Sequence, residues 1–369
     1  MYKVLVFGMT ENPGGVESFL LNYYRNIDRS KIQFDFLCNS YEKVAYEDEL
    51  ISLGAETYHI TARSQNPSKY KEELEGVFAN NSHKYDAIWV NVCSLANIDY
   101  LKMAKKYNIK RRIIHSHNSQ NMDTKLRVVL HYLNKMVIEK YATDFWACSD
   151  DAAEWFFNKN LLPKCKVIHN AIDISKMKYD EAAGEVKRQE LGWEDKFVVG
   201  NIGRLHFQKN QMFVLNIFKE LLSICPDARL LLVGQGEDEE KLRNRVQELS
   251  IEDKVVFTGV QYNISVWLSA MDFFLFPSVF EGLGIAVLES QANGVNSLTS
   301  AKVVPDEVVI NENCKMQDLG LGAEAWAKKI MEMKENYNRL SYQNVKQNFV
   351  KAGYDIETEI QKLEELFLR

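Results

Sequence analysis

Short β-branched and aromatic runs alternate with amphipathic helical stretches along this chain, and that rhythm is the pattern of stacked βαβ units. In the first half the strand-like runs are Lys3–Phe7, Phe34–Cys38, Glu56–Ile60, Ala87–Val90, Arg112–His115, Asp144–Ala147 and Lys166–Ile168. Helical periodicity fills Val16–Asn26, Tyr70–Asn80, Ile98–Tyr107 and Lys125–Tyr141 between them. The pattern then restarts, with runs at Lys196–Ile202, Arg229–Val233, Lys254–Thr258 and Phe273–Phe276 and helical stretches at Asn210–Ser223, Asp238–Leu249 and Ile285–Asn293. Three further helical stretches close the chain, at Ala323–Lys334, Ser341–Lys351 and Ile356–Phe367. Asn170 to Tyr179 carries neither period and reads as the linker.

Two doubly wound α/β domains follow, and a length of 369 residues is too great for one ordinary core. The first is expected over 1–173 and the second over 174–350, with 351–369 a closing helix that can pack back on the first domain. In open α/β sheets ligands bind beyond the carboxyl ends of the strands. Two such edges facing each other are expected to form one cleft with a substrate on each side.

A net charge of -6 argues against general nucleic-acid binding. None of the six cysteines lies within four residues of another, so zinc and redox spacings are absent, and a reduced, cytosolic location is expected. The opening run Tyr2–Phe7 is too short for a signal segment, and no stretch approaches the 18 apolar residues of a membrane span.

Four strand-to-helix turns carry unusual residues. Asn12-Pro13-Gly14-Gly15-Val16-Glu17 follows the first strand; paired glycines let backbone amides approach a ligand, though a plain tight turn reads the same way. Gly203-Arg204-Leu205-His206-Phe207-Gln208-Lys209-Asn210 places two cations at a strand end just before a helix, which suits a diphosphate. In Pro277 to Glu289 an apolar strand ends, Glu281 appears, Gly282 and Gly284 free the backbone around Leu283, and a helix begins that carries Glu289. Its free amides can hold phosphate or sugar oxygens. Alone, Glu289 would read as an acid complementing the helix dipole; two carboxylates bracketing a glycine turn weaken that reading. Ile113-Ile114-His115-Ser116-His117-Asn118 ends a strand with two imidazoles, each either at substrate or capping local backbone.

Together these motifs resemble glycosyltransferase family 4, retaining enzymes of the GT-B fold with two facing Rossmann-like domains and an interdomain cleft, among them bacterial capsule and exopolysaccharide glycosyltransferases. The likeness runs nearly end to end. It includes the Gly14-Gly15 turn, Asn170-Ala171-Ile172-Asp173, Gly203-Arg204 with Gln208-Lys209-Asn210, Phe257-Thr258-Gly259-Val260, Ala270-Met271-Asp272, and Pro277-Ser278 leading to Glu281-Gly282 and Gly284, with seven residues between Glu281 and Glu289. The chain departs from that pattern at Gly294-Val295-Asn296, where relatives usually place a proline, and over Ser297–Gln317, where the signal thins.

The resemblance implies a hexosyl or N-acetylhexosaminyl transfer from a nucleotide sugar, UDP-sugars favoured, to a glycan or polyprenyl-diphosphate-linked acceptor. By the same resemblance Arg204 and Lys209 hold the diphosphate and Glu289 the ribose, while Glu281 lies at the transferred sugar. Amides of Gly282, Leu283 and Gly284 touch sugar and phosphate, and the backbone at Val260 and Gln261 meets the base. Gly14 and Gly15 shape the acceptor side, with His117, or less readily His115, at the sugar and Gly203 turning the phosphate loop.

No cofactor or metal is expected, since no two aspartates are separated by one residue, the usual metal-binding spacing. The protein's own cations and a helix amino terminus then stabilise the leaving diphosphate. No second carboxylate is evident at the anomeric carbon, so front-face attack is expected rather than double displacement. The cations Lys102, Lys105, Lys106, Lys110, Arg111 and Arg112 and the stretch Lys125–Tyr141 could rest on anionic lipid at the inner face of the plasma membrane; the plain alternative is a solvated helix packed on the first sheet. A nucleotide-sugar epimerase on the same fold and a catalytically silent partner subunit are the other readings.

Overall fold

The computed structural model describes residues 1–118 and 125–369. It falls into two units, Met1–Ala171 with Ile356–Arg369, and Ile172–Asp355. The sequence reading places the divisions slightly differently, at 173/174 and 350/351.

The first unit holds seven strands: β1 (Tyr2–Phe7), β2 (Ile32–Cys38), β3 (Thr57–His59), β4 (Ala87–Val92), β5 (Arg111–Ser116), β6 (Asp144–Ala147) and β7 (Cys165–Val167). They form one parallel sheet in the order β3-β2-β1-β4-β5-β6-β7. Val4, Leu5 and Val6 in β1 and Ile88, Trp89 and Val90 in β4 are all buried. Such runs are continuous rather than alternating because helices cover both sheet faces.

The closing helix, Ile356–Leu368, belongs to this unit and buries Ile356, Ile360, Leu363 and Phe367 at helical spacing. Phe367 sits with its ring centroid 5.7 Å from Phe34, 5.6 Å from Trp89 and 5.4 Å from Trp146. Burial of such a ring contributes about 1.5–3 kcal/mol. Arg111 ties the helix end down, its guanidinium donating to the Phe367 carbonyl at 3.0 Å.

In the second unit β8 (Phe197–Ile202), β9 (Ala228–Val233), β10 (Val255–Phe257), β11 (Phe273–Phe276), β12 (Asn296–Ser300) and β13 (Cys314–Gln317) run parallel in the order β10-β9-β8-β11-β12-β13. In both units the order reverses beside the first strand, at β1/β4 and β8/β11, the places where such sheets open a ligand crevice.

Two of these strands are absent from the sequence reading. β12 is Asn-Ser-Leu-Thr-Ser, entirely buried yet mostly polar. Its side chains are satisfied locally: Ser297 bonds the Ser290 hydroxyl at 2.9 Å, Thr299 donates to the Phe276 carbonyl at 3.1 Å, and Asn296 to the Tyr337 carbonyl at 2.9 Å. β13 is only four residues long. The short helices Glu47–Ser52, Asp150–Phe156 and Ile264–Ala270, and the longer Glu181–Leu191, are likewise additional to the sequence reading. The expected linker contains one helical turn, Ile174–Met177, which Asp173 caps by accepting from the Ser175 and Lys176 amides.

Candidate active site

In the second unit the turns after β8, β9 and β10 lie against one another. Leu205 N–H donates to the Gln235 carbonyl at 3.0 Å, and Gly234 N–H to the Gly259 carbonyl at 2.9 Å. A Cβ on Gly234 would stand 2.1 Å from the Gly203 carbonyl oxygen, so only glycine lets these two turns meet. Gly234-Gln235-Gly236-Glu237 thus belongs to the site although the sequence reading passed over it; a second glycine-rich strand end was its signal.

The two cations of the β8 turn go to different carboxylates. Arg204 is exposed and its Nε donates to Glu237 Oε2 at 3.0 Å, while His206 Nε2 lies 3.3 Å from Glu237 Oε1. Glu237's own backbone N–H, then Arg204 and His206, hold its carboxyl below the usual range. Lys209 turns inward instead. Its Nζ donates to Glu281 Oε1 at 2.7 Å and lies 5.0 Å from the centre of the Phe276 ring.

Glu281 is buried, and the Ser278 hydroxyl donates to the same Oε1 at 2.5 Å. The backbone beside this pair is fastened by further bonds. Gln208 Nε2 donates to the Phe280 carbonyl at 2.9 Å, Asn210 Nδ2 to the Pro277 carbonyl at 3.0 Å, and Val279 N–H to the Gln208 carbonyl at 2.9 Å. The structure therefore joins the two motifs around Lys209 and Glu281 into one rigid edge at the carboxyl ends of β8 and β11. From sequence Ser278 figures as part of the Pro277-Ser278 motif, with no role of its own.

Gly282 is exposed, Leu283 is buried, and Gly284 takes φ +80° to open the helix Ile285–Asn293. The first amides of that helix have no partner inside it. Glu289 lies a turn further along, and burial pushes its carboxyl up to about 7. In the β10 turn Val260 is half exposed and Gln261 Nε2 donates to the Thr258 carbonyl at 2.8 Å.

The first unit has its own cavity of about 800 Å³ at the carboxyl ends of β1 and β4. Its walls include the β1 turn, the β4 turn, Arg63, Asn118, Trp155 and three residues of the helix Lys125–Val137. Gly15 lines it, and Gly14 precedes the helix Gly15–Asn26. A Cβ on Gly14 would come within 2.8 Å of Glu17 Oε2, so the glycine leaves room for that carboxylate. Glu17 is buried, accepts from the Thr10 hydroxyl at 2.6 Å and faces the cavity, a placement its position in a first helical turn did not reveal.

Neither His115 in β5 nor His117 just after it is among the residues that line the cavity. His115 is packed among Phe19, Trp89 and Trp146. His117 Nε2 bonds Asn91 Oδ1 at 2.9 Å, while the Asn91 amide nitrogen faces the Phe7 and Trp89 carbonyls. The His117 Nδ1 atom is buried, and desolvation pushes the ring down to about 3, so it is neutral at any working pH. The neighbouring Asn91 and Asn118 are among the polar residues that line the cavity. Among the described residues no group of three His, Cys, Asp or Glu is placed to hold a metal ion.

Residues 184–355 match the family described as glycosyl transferases group 1. The Bacillus subtilis (strain 168) protein EpsF is 25% identical over 371 residues, spanning 95% of this chain and 92% of that one. The capsular polysaccharide biosynthesis glycosyltransferase CapH of Staphylococcus aureus is 22% identical over 378 residues, spanning 100% of this chain and 99% of that one. Among solved structures, Anabaena Alr3699/HepE in complex with UDP shares the fold over 100% of both chains, with a TM-score of 0.81 at 19% identity. The two Rossmann-like units, the glycine-rich turns with Lys209 and Glu281, and these likenesses make this chain a glycosyltransferase with the GT-B fold, whose second unit matches the group 1 family.

Proposed function

We propose that the chain is a retaining transferase that moves a hexosyl or N-acetylhexosaminyl group from a UDP-sugar to a glycan or polyprenyl-diphosphate-linked acceptor in cell-surface polysaccharide synthesis. The observation that carries this reading is the ion pair of half-buried Lys209 with buried Glu281 at the carboxyl edge of the second sheet, beside a helix amino terminus. The capsular role of CapH and the UDP held by Alr3699/HepE support the substrate classes.

Cleaving the sugar–phosphate bond builds positive charge on the anomeric carbon and negative charge on the departing diphosphate. Lys209, Arg204 and the amides of Gly282, Leu283 and Gly284 supply donors for that diphosphate. Lys209 exchanges Glu281 for phosphate, which frees Glu281 for a hydroxyl of the transferred sugar. Glu289 accepts from the ribose, and the backbone at Val260 and Gln261 meets the base. On the acceptor side Gly14 and Gly15 shape the cavity entrance, and His117 positions Asn91. Attack comes on the leaving-group face, and the departing phosphate oxygen takes the acceptor's proton.

The cavity in the first unit favours transfer over epimerisation, because an epimerase has no acceptor to house. The test is incubation with UDP-hexoses and UDP-N-acetylhexosamines plus a short-chain polyprenyl-diphosphate sugar, followed by NMR of the product. An α-linked product from an α-configured donor is expected. A β-linked product would overturn retention, and an isomerised donor without product would point to the epimerase.

Transfer is also expected to survive EDTA, since the cations belong to the protein. Loss of activity on chelation, restored by Mg²⁺ or Mn²⁺, would show that a metal carries the leaving-group charge.

A further inference from the structure

The last two hydroxyls of the buried strand β12 bond the backbone that leads to Glu281. Thr299 Oγ1 donates to the Phe276 carbonyl at 3.1 Å, and Ser300 Oγ to the Ser278 carbonyl at 2.5 Å. Ser278, just beyond β11, is fully buried. Its own Oγ lies 2.8 Å from the Gln208 carbonyl, 3.0 Å from the Phe280 carbonyl and 2.5 Å from Glu281 Oε1. A hydroxyl has one proton to donate. The carboxylate oxygen is the nearest of these acceptors and the charged one, and bonds from O–H to a carboxylate are short, so the proton goes to Glu281. Ser300 and Ser278 thus link β12, by way of one backbone carbonyl, to the Glu281 carboxylate.

The donors on that carboxylate are unevenly shared. Among the described residues, Lys209 Nζ at 2.7 Å and the Ser278 hydroxyl both meet Oε1. An ionised carboxylate has about four lone-pair sites over its two oxygens. The protein fills Oε1 and leaves Oε2 to another donor. When Lys209 exchanges Glu281 for phosphate, Oε1 stays buried with the Ser278 hydroxyl as its remaining partner. A buried charged acceptor stripped of every donor costs its full desolvation. With no hydroxyl at position 278 the carboxylate would hold Lys209 back from the phosphate.

We infer that Ser278 is a positioning residue for Lys209: its hydroxyl keeps Glu281 Oε1 satisfied, so that Lys209 is free to leave for the donor diphosphate. This rests on the exchange of Lys209 in the proposed function. The test is calorimetric titration of UDP into wild type, Ser278→Ala, Glu281→Gln and the double variant, with the melting temperature of each. Ser278→Ala is expected to weaken UDP binding about tenfold, the effect of one hydrogen bond to a charged group. Glu281→Gln is expected to rescue that loss to within about twofold, because a neutral amide does not retain Lys209. A serine that only supports the fold would not be rescued: equal losses in the two backgrounds would overturn the inference. So would wild-type UDP affinity in Ser278→Ala. Ser300→Ala keeps the Ser278 hydroxyl and removes the bond behind it, which covers the case of a Ser278→Ala protein that does not fold. About a threefold loss is expected there, again rescued by Glu281→Gln, and an unrescued loss or none would overturn the inference. If wild type binds no UDP, the donor reading falls and the inference with it; the other contrary outcomes remove the inference alone.

Discussion

Lys209→Ala is expected to slow transfer by about 10²–10³ and to weaken nucleoside diphosphate binding, as loss of one preorganised stabiliser of the leaving group does. The geometry adds a second consequence. Glu281 is buried, and Lys209 is its cationic partner at 2.7 Å, so the alanine variant leaves a carboxylate inside the protein with the Ser278 hydroxyl on the same oxygen. Breaking a buried pair from one side costs up to about 3–5 kcal/mol. Stability and catalysis are separable by adding Glu281→Gln to Lys209→Ala. The double variant is expected to regain most of the lost melting temperature and none of the lost turnover. Normal turnover in Lys209→Ala, or recovery of turnover with stability in the double variant, would remove Lys209 from the mechanism and leave it a structural cation.

The two glutamates are expected to separate in kinetics and in pH dependence. Glu289→Gln should raise the donor KM and weaken nucleoside diphosphate binding, because the ribose does not react and its contacts are uniform. Glu281→Gln should bind the diphosphate about as well as wild type, Lys209 being released from its carboxylate, while turnover falls.

Glu289 also carries a proton signature. Burial raises its carboxyl to about 7, so between the ordinary carboxylate value of 4.5 and about 7 the folded chain holds a proton that the unfolded chain has lost. Its contribution to stability is fully present below pH 4.5, falls as pH rises through about 7 and is flat above that, a change of no more than about 3.5 kcal/mol. Ribose hydroxyls donate to the ionised form, so binding of an intact UDP-sugar near pH 6 should release close to one proton. Calorimetry in buffers of different ionisation enthalpy measures that release. It should vanish in Glu289→Gln and above pH 8. Identical behaviour of the two variants, or proton release that persists in Glu289→Gln, would sink the assigned roles.

How much of this was legible in the chain differs from motif to motif. The β8 and β11 turns announced themselves, because a glycine with cations and a glycine pair between carboxylates are rare at strand ends. Their partners did not. That Arg204 meets Glu237 depends on the close approach that Gly234 permits between the β8 and β9 turns, and Lys209 meets Glu281 because β8 and β11 are neighbours in the sheet; neither contact has a local periodicity. β12 escaped for the opposite reason. Its buried Ser297, Thr299 and Ser300 meet hydroxyls and carbonyls of neighbouring elements, so a polar strand is satisfied in a place where pattern reading looks for apolar residues.

Local sequence suffices for the elements that depend on neighbours along the chain: the alternating strands and helices, the restart in the second half, and the glycine turns where backbone freedom is a local property. The helix Lys125–Val137 marks the limit. Its periodicity specified one apolar and one polar face, and the plain expectation was a helix packed on the sheet with its polar side in water. Tertiary structure decided otherwise, because the Leu95 amide and carbonyl and the carbonyls of Glu154 and Trp155 find their partners in His131, Asn134 and Lys135. An amphipathic pattern fixes that a helix has two faces; which of them turns inward is set by the hydrogen-bonding groups that the rest of the fold brings to meet it.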